Sequence, residues 1–442
     1  MKIALRFATT ALSSAAALAL LTGCASTSLS DPAGLGTSPS GHALHGRVRG
    51  GQQPVSGATI ALYAAGNTGY GSAFPYASGS SLLGTHSVQS DSNGNFNITG
   101  DYTCPSASTP VYIVGTSGDP GGGANPNLAL MTALGPCGSL SSATVIQINE
   151  ITTVASVWAL APFMSAFNIG TTPTNSLGLD NAFATVNKLV NISGGTLPGP
   201  LLPAGATLPI PKINTLADIL AACVNSTGGT HGDGSACGTL FAAAHVGASY
   251  PSDTITAALN IARLPNQNVV TLFNTVSGAA PFQPTLISAP TDYAIVVTHT
   301  GAGISSPSGI AVDPSGNIWT ANNANNSASK LNNLGAPLSS AAGFTAGPLS
   351  APSAIAIDPT GNAWLTNANN TVVRLDPTGA TGTVFSGANF NRPSAIAVDS
   401  SGNAWVANNG SSTLTQITSG GVQTKVTGGN VTTPVGIAIQ PF

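Results

Sequence analysis

The chain has 442 residues, enough for two to four ordinary domains, and only 6% of them are Asp, Glu, Lys or Arg, against roughly a quarter in typical soluble domains. With 11 basic and 14 acidic side chains, no basic patch is available to neutralise phosphates, which argues against nucleic acid as a partner. The surface must be solvated by Ser, Thr, Asn and Gly instead.

The N-terminus reads as an export signal. Lys2 and Arg6 precede a small or apolar run from Ala8 to Leu21, interrupted only by Thr9, Thr10, Ser13 and Ser14. That run is too short for a membrane-spanning helix, which needs about 20 apolar residues. It ends in Leu21-Thr22-Gly23-Cys24, which resembles a bacterial lipobox. The resemblance implies that residues 1–23 are a lipoprotein signal peptide, that the Cys24 thiol takes a diacylglyceryl group, and that the acyl chains hold the protein at a membrane. Each buried methylene contributes about 0.8 kcal/mol to that hold. Ala25 follows the cysteine where Asp would favour inner-membrane retention in enteric-type bacteria, so the expected address is the cell envelope, at the outer membrane, on its periplasmic or outer face. Residues 24–41, rich in Ser, Thr, Gly, Pro and Ala, form a flexible tether.

From His42 the pattern becomes extended. Gly46-Arg47-Val48 and Thr59–Tyr63 alternate around a Pro/Gly turn, and Asp91-Ser92-Asn93-Gly94-Asn95-Phe96 carries an Asn-Gly hairpin signal. Further strands are expected at Val111–Val114, Leu128–Leu134 and Val145–Ile148. The G-x-V…P-V-x-G-A-x-I-x-L-Y…D-S-x-G-x-F pattern resembles the carboxypeptidase-regulatory-like, prealbumin-type β-sandwich, over residues 42–149. That family implies a spacer or carbohydrate-facing module without catalysis.

Residues 150–288 change period. Apolar residues at spacings of three and four in Leu179–Val190, Ile213–Val224, Cys237–Val246, Asp253–Arg263 and Val269–Val276 predict short helices of an all-α domain. Asn214-Thr215 and Ser252-Asp253 are candidate caps. The long apolar stretch Ile148–Phe167 contains Asn149, Glu150 and several hydroxyls, and reads as a buried helix and not a span. Four cysteines remain after Cys24, an even number in an exported chain. Neighbour pairing joins Cys104 with Cys137 and Cys223 with Cys237. No Cys-x-x-Cys occurs, His42-x-x-His45 points its rings to opposite faces of a strand, and His231 with Asp233 lacks a third ligand. No metal or other cofactor is therefore expected.

Residues 289–442 repeat themselves. A block Pro-Ser-(Gly/Ala)-Ile-Ala-(Val/Ile)-Asp-x-(Ser/Thr)-Gly-Asn-x-Trp begins at Pro307, Pro352 and Pro393, and a fragment returns at Pro434. The period of 41 to 45 residues is that of a four-stranded propeller blade. The blocks resemble NHL repeats and the related streptogramin-lyase-like propellers. The expected architecture is multidomain α and β: N-terminal sandwich, central helices, then propeller-like repeats. With three repeats and a fragment, closure stays open between a four-bladed ring, an open arc whose edge invites self-association, and an arc completed by a second copy.

Asp313, Asp358 and Asp399 fall at the hairpin turn, and Trp319, Trp364 and Trp405 at a packing position. Asn322, Asn367 and Asn408 stand three residues after each Trp, with Asn323 and Asn409 beside two of them. They suit either loop capping or the presentation of amides to a polar ligand on one propeller face. On the second reading these five are the candidate ligand-binding residues, with no catalytic residue assigned. The only Glu is Glu150, and no His follows His299. The favoured function is a lipid-anchored binding or scaffold protein presenting the repeats to a glycan or envelope protein. The alternative implied by the resemblance is a metal-assisted lyase or lactonase.

Overall fold

Strand β1 (Leu44–Gly50) turns Leu44, Gly46, Val48 and Gly50 inward and His45, Arg47 and Arg49 outward. This is the alternation of a sheet with one buried face. β1 pairs antiparallel with β2 (Gln53–Pro54) and β5 (Asn95–Ile98), and parallel with β8 (Val145–Ile148). The second sheet runs in the order β4 (Val88–Gln89), β3 (Thr59–Ala64), β6 (Pro110–Thr116), β7 (Ala129–Pro136). Leu44, Val48, Ile60, Leu62, Phe96, Ile113, Leu130 and Ile146 fill the space between the sheets. The computed structural model describes residues 39–73, 81–84, 86–276 and 280–439. The expected export signal, Cys24 and the expected tether up to residue 38 lie outside the described residues.

Asn93-Gly94 sits in a tight turn, as its sequence demands, with Gly94 at φ 75°. The flanking strands nevertheless form no hairpin. β4 joins β3 in the second sheet and β5 joins β1 in the first. The turn is closed by bonds to the Asp91 carboxylate from the Asn93 and Asn95 amides, both 2.8 Å, so it reverses the chain whichever sheet receives each arm.

The core of the helical segment extends onto the second sheet. α1 (Glu150–Leu160), α2 (Ser176–Leu189), α3 (Ile210–Val224), α4 (Ala236–Ala243), α5 (Thr254–Arg263) and α6 (Val269–Phe273) share one apolar cluster with Tyr112, Val114, Met131 and Ala133 of the second sheet. Where the sequence reads a separate all-α domain, the structure shows a third layer laid on the sheet. The reason is visible at β7, whose residues Ala129 to Gly135 are all buried and whose free edge faces the helices. The Met131 amide donates to Thr153 Oγ1 at 2.9 Å, the Ala133 amide to Ser156 Oγ at 3.0 Å, and the Ala129 amide to Thr254 Oγ1 at 3.0 Å. Hydroxyls in α1 and α5 thus satisfy a strand edge that would otherwise be left unpaired. α1 is capped by Asn149, which accepts from the Thr152 amide, and a short antiparallel pair, β9 (Met164–Ser165) and β10 (Asn168–Ile169), lies between α1 and α2 in the chain. No helix among the described residues is long and apolar enough to cross a membrane.

Asp253 caps α5, as its position predicts. Asn214-Thr215 does not cap a helix. α3 starts one turn earlier at Ile210 with Pro in its first turn, and both residues lie buried inside it. Both neighbour disulfides are formed, Cys104–Cys137 and Cys223–Cys237.

The repeats fold as three consecutive antiparallel sheets: β13 (Pro307–Val312), β14 (Ile318–Asn322), β15 (Ser327–Leu331); β16 (Ala354–Ile357), β17 (Ala363–Thr366), β18 (Val372–Leu375), β19 (Gly382–Phe385); and β20 (Pro393–Val398), β21 (Ala404–Asn408), β22 (Thr413–Ile417), β23 (Gln423–Val426). The first has three strands, and Phe344 bridges to Ala328 where a fourth would lie. The sheets pack face to face as propeller blades do, through one apolar seam around Trp319 and Leu365 and another around Trp364 and Val406. The module is joined to the helical layer by β11 (Ala206–Thr207) against β12 (Thr298–His299), and by an ion pair of 3.2 Å between Lys212 and Asp292.

Candidate functional site

Each blade is built around one turn. Asp313 Oδ1 accepts from the Ser315 and Asn317 amides at 3.0 and 2.9 Å, and Gly316 takes φ 80°, a conformation that favours glycine. The other oxygen, Oδ2, accepts from Trp319 Nε1 at 3.1 Å. Asp358 and Asp399 repeat the arrangement with Trp364 at 3.0 Å and Trp405 at 3.1 Å. Burial by itself would raise the Asp313 carboxyl, but donors from Asn317, Lys330 and Trp319 outweigh it and hold the group well below the usual carboxylate range. Asp358 and Asp399 are lowered in the same way. These aspartates are structural, charged and fully engaged.

The tryptophans mark the seams. Trp319 and Trp364 have no solvent exposure, and each packs against the blade that follows. A cation lies over each ring: Lys330 Nζ is 4.8 Å from the Trp319 ring and Arg374 is 5.2 Å from that of Trp364. Lys330 then donates to Pro377 O at 2.8 Å and Arg374 to Ser419 O at 3.0 Å, both on the next blade. In the third blade the cross-strand partner of Trp405 is the neutral Gln416, and Trp405 is only partly buried.

Of the five candidate asparagines, the three that recur at one repeat position have their amides turned inward. Asn322, Asn367 and Asn408 have no exposure. Their oxygens accept the Ser305, Ser350 and Asn391 amides at 3.5, 3.1 and 3.3 Å, and their Nδ2 groups donate to Ser329, Thr371 and Thr415 at 2.7, 3.0 and 2.9 Å. They fasten the loop entering each blade to its second hairpin, which is the loop-capping role. Asn409 donates to Thr433 O at 3.1 Å. Asn323 is exposed, and its side chain alone among the five makes no intramolecular bond among the described residues.

The inner strands of the arc differ in exposure. Gly309 abuts Ile355 of the next blade, so small residues face forward and β-branched residues face backward along the arc. Ile355 and Ile396 are thereby sealed at 8% and 7% exposure, whereas Ile310 at the same position of the first blade is 70% exposed and Val312 is 61% exposed. The outer part of that first face is closed differently. Thr320 and Ser329 replace Leu365 and Val373 there, and the entering segment is tied to the blade by Ser339 Oγ donating to Ala302 O at 2.8 Å and Asn325 Nδ2 donating to Gly303 O at 2.9 Å. At the other end, Ser394 Oγ donates to Pro434 O at 2.7 Å, as Ser308 does to Pro352 O at 2.6 Å. The final fragment therefore stands in the place of a fourth inner strand. Among the described residues the arc does not close. A groove of about 440 Å³ runs along the strand ends, lined by Val312, Ile357, Val398 and Ile439 beside the three Asp turns.

Outside the arc, two acids that are far apart in sequence are buried, and one senses the charge of the other. Glu150 is completely buried, both carboxylate oxygens receiving the Gly51 amide at 2.8 and 3.0 Å. Burial, assisted by neighbouring Asp218, pushes it up to about 8 against the opposing amides. Asp218 is raised to about 7 by burial, opposed by the Phe282 amide. They are 68 residues apart in sequence, so no local motif reveals the pair.

No protein-family model and no curated protein matches the chain. Among solved structures it is similar to a catalytically inactive virginiamycin B lyase from Staphylococcus aureus with quinupristin, at 23% identity over 32% of this chain and 46% of that one, with a TM-score of 0.27. A streptogramin B lyase structure gives 23% identity, 32% and 47% coverage and a TM-score of 0.26. A nidogen/laminin complex gives 17% identity, 32% and 56% coverage and a TM-score of 0.28. The chain spans about half the length of these structures.

Proposed function

We propose that the protein is a lipid-anchored binding or scaffold protein of the cell envelope, without catalysis, whose open arc receives an extended protein segment along its inner strands. The observation that carries this reading is the contrast between Ile310 at 70% exposure and its equivalents Ile355 and Ile396 at 8% and 7%. A β-branched side chain shaped for a seam stands uncovered, beside a strand edge whose backbone groups favour β-type pairing. Lipidation at Cys24 and an outer-membrane address follow from the lipobox resemblance and belong to the same proposal. The alternative, a metal-assisted lyase or lactonase, needs a converging donor set; the described residues contain no group of three or more His, Cys, Asp or Glu able to hold a metal ion, and the arc's repeat aspartates are engaged in turns.

The test is binding of the purified protein to envelope-protein and glycan arrays, with Ile310→Asp/Val312→Asp alongside. The expected result is capture of an envelope protein that the double variant loses. Turnover of a lactone or sugar substrate without capture of any partner would overturn the reading. Sedimentation of the protein alone distinguishes a second copy from a foreign partner as the occupant.

A further inference from the structure

Outside the arc, the outward face of β1 lines a cleft of about 490 Å³ between the first sheet and the helical layer. Arg47 and Arg49 are two residues apart on that face, which sets them roughly 7 Å apart along the strand. The Arg49 side chain makes no hydrogen bond or ion pair among the described residues, and that of Arg47 donates only through Nε, to Asn95 Oδ1 at 2.7 Å. Gln147, the cross-strand partner of Arg47, and Thr196 line the same cleft with side chains that are likewise uncommitted. Among the other described cations, Lys212 is engaged with Asp292, Lys330 with Asp313, Arg263 with two carbonyls and Arg374 with one, whereas the side chains of Lys188, Arg392 and Lys425 make no such bond; what distinguishes Arg47 and Arg49 is that they stand together in one cleft.

We propose that this cleft binds a carboxylated oligosaccharide. Two guanidinium groups set apart on a strand suit carboxylates on separate sugar units, each taken in a two-pronged hydrogen bond. The Gln147 amide and the Thr196 hydroxyl supply donors and acceptors for sugar hydroxyls. The acids that face these arginines do not cancel them. Asp91 reaches Arg47 only from the exposed side, across Asn95. Glu150 lies behind Gly51 and Asp218 behind Phe282, and burial favours the neutral form of both. The site owes nothing to the inner strands of the arc, so it stands or falls separately from the function proposed above.

Titration calorimetry with a galacturonic acid hexamer at low ionic strength tests the assignment, with a neutral glucose hexamer and inorganic phosphate as comparison probes. The expected result is binding of the acidic hexamer alone, weakened about tenfold or more by Arg47→Gln/Arg49→Gln. Thr196→Trp, which keeps both charges and obstructs the cleft from an exposed loop, is expected to weaken it as well. Thermal unfolding confirms that the variants fold. No binding of the acidic hexamer, equal binding of either comparison probe, or unchanged affinity in the folded variants would overturn the proposal.

Discussion

Alanine substitution along the tryptophan ladder probes the open end of the arc directly. Trp319 and Trp364 are sealed in seams, each bonded to an Asp and covered by a cation. Removing such a ring leaves a cavity and an unpaired carboxylate oxygen, and each Trp→Ala change is expected to cost about 3–5 kcal/mol. Trp405 has the same bond to Asp399 at 3.1 Å, but it is partly exposed and no full blade lies over it. Its loss removes less buried area and opens no closed cavity, so a cost of about 1–2 kcal/mol is expected. Urea unfolding followed by Trp fluorescence and circular dichroism, at two protein concentrations tenfold apart, measures the difference. A Trp405→Ala cost equal to that of Trp364→Ala at the lower concentration would refute the open third blade. A cost that grows with concentration would show that a second copy covers it.

The other expectations use the same stability measurements. Ile310→Asp is expected to change stability by less than about 0.5 kcal/mol, whereas Ile355→Asp, at the equivalent but sealed position, is expected to cost more than about 3 kcal/mol; similar costs would contradict the exposed inner strand. The folded-state value of Glu150 is raised from 4.5 to about 8, so the folded state retains a proton that the unfolded chain has lost. The resulting stabilisation is full below about pH 4.5 and declines as pH rises towards 8. Glu150→Gln should therefore lose less melting temperature between pH 5 and 9 than the parent does, Asp218 leaving a residual slope of the same sign; an unchanged pH profile would show that Glu150 does not hold its proton. Removing Cys223–Cys237, which closes 14 residues, is expected to cost about 3 kcal/mol, and removing Cys104–Cys137, which closes 33, about 4 kcal/mol. Calorimetry of the two double Ser variants checks that order.

Local chemistry was readable wherever a few adjacent residues settle it. The Asp-x-(Ser/Thr)-Gly-Asn turn closes on its own carboxylate, so its three copies announced three blades, and its cousin at Asp91 announced a reversal. The same locality misled at Asp91, because a turn does not decide which sheet each arm enters. It misled again at Asn214, where Pro211 in the first turn had already begun the helix. The asparagines after each Trp presented a real choice, since a loop cap and a ligand contact use the same amide. Only the tertiary structure brings Ser329, Thr371 and Thr415, on or just before the neighbouring strand, within reach of those amides, as a cap requires.

By itself the sequence determined the repeat, its turns, the helical stretches and the pairing of neighbouring cysteines, because each depends on chain-local geometry or on short loops. Tertiary structure alone decided that the helices share a core with the sheet, that Glu150 and Asp218 are both buried, and that Arg47 and Arg49 border a cleft. It also decided that one isoleucine of three equivalent ones lies open. Ile310, Ile355 and Ile396 sit in nearly the same words of sequence; what separates them is whether a blade precedes them in space, and solvent exposure is a property of neighbours that no local pattern records.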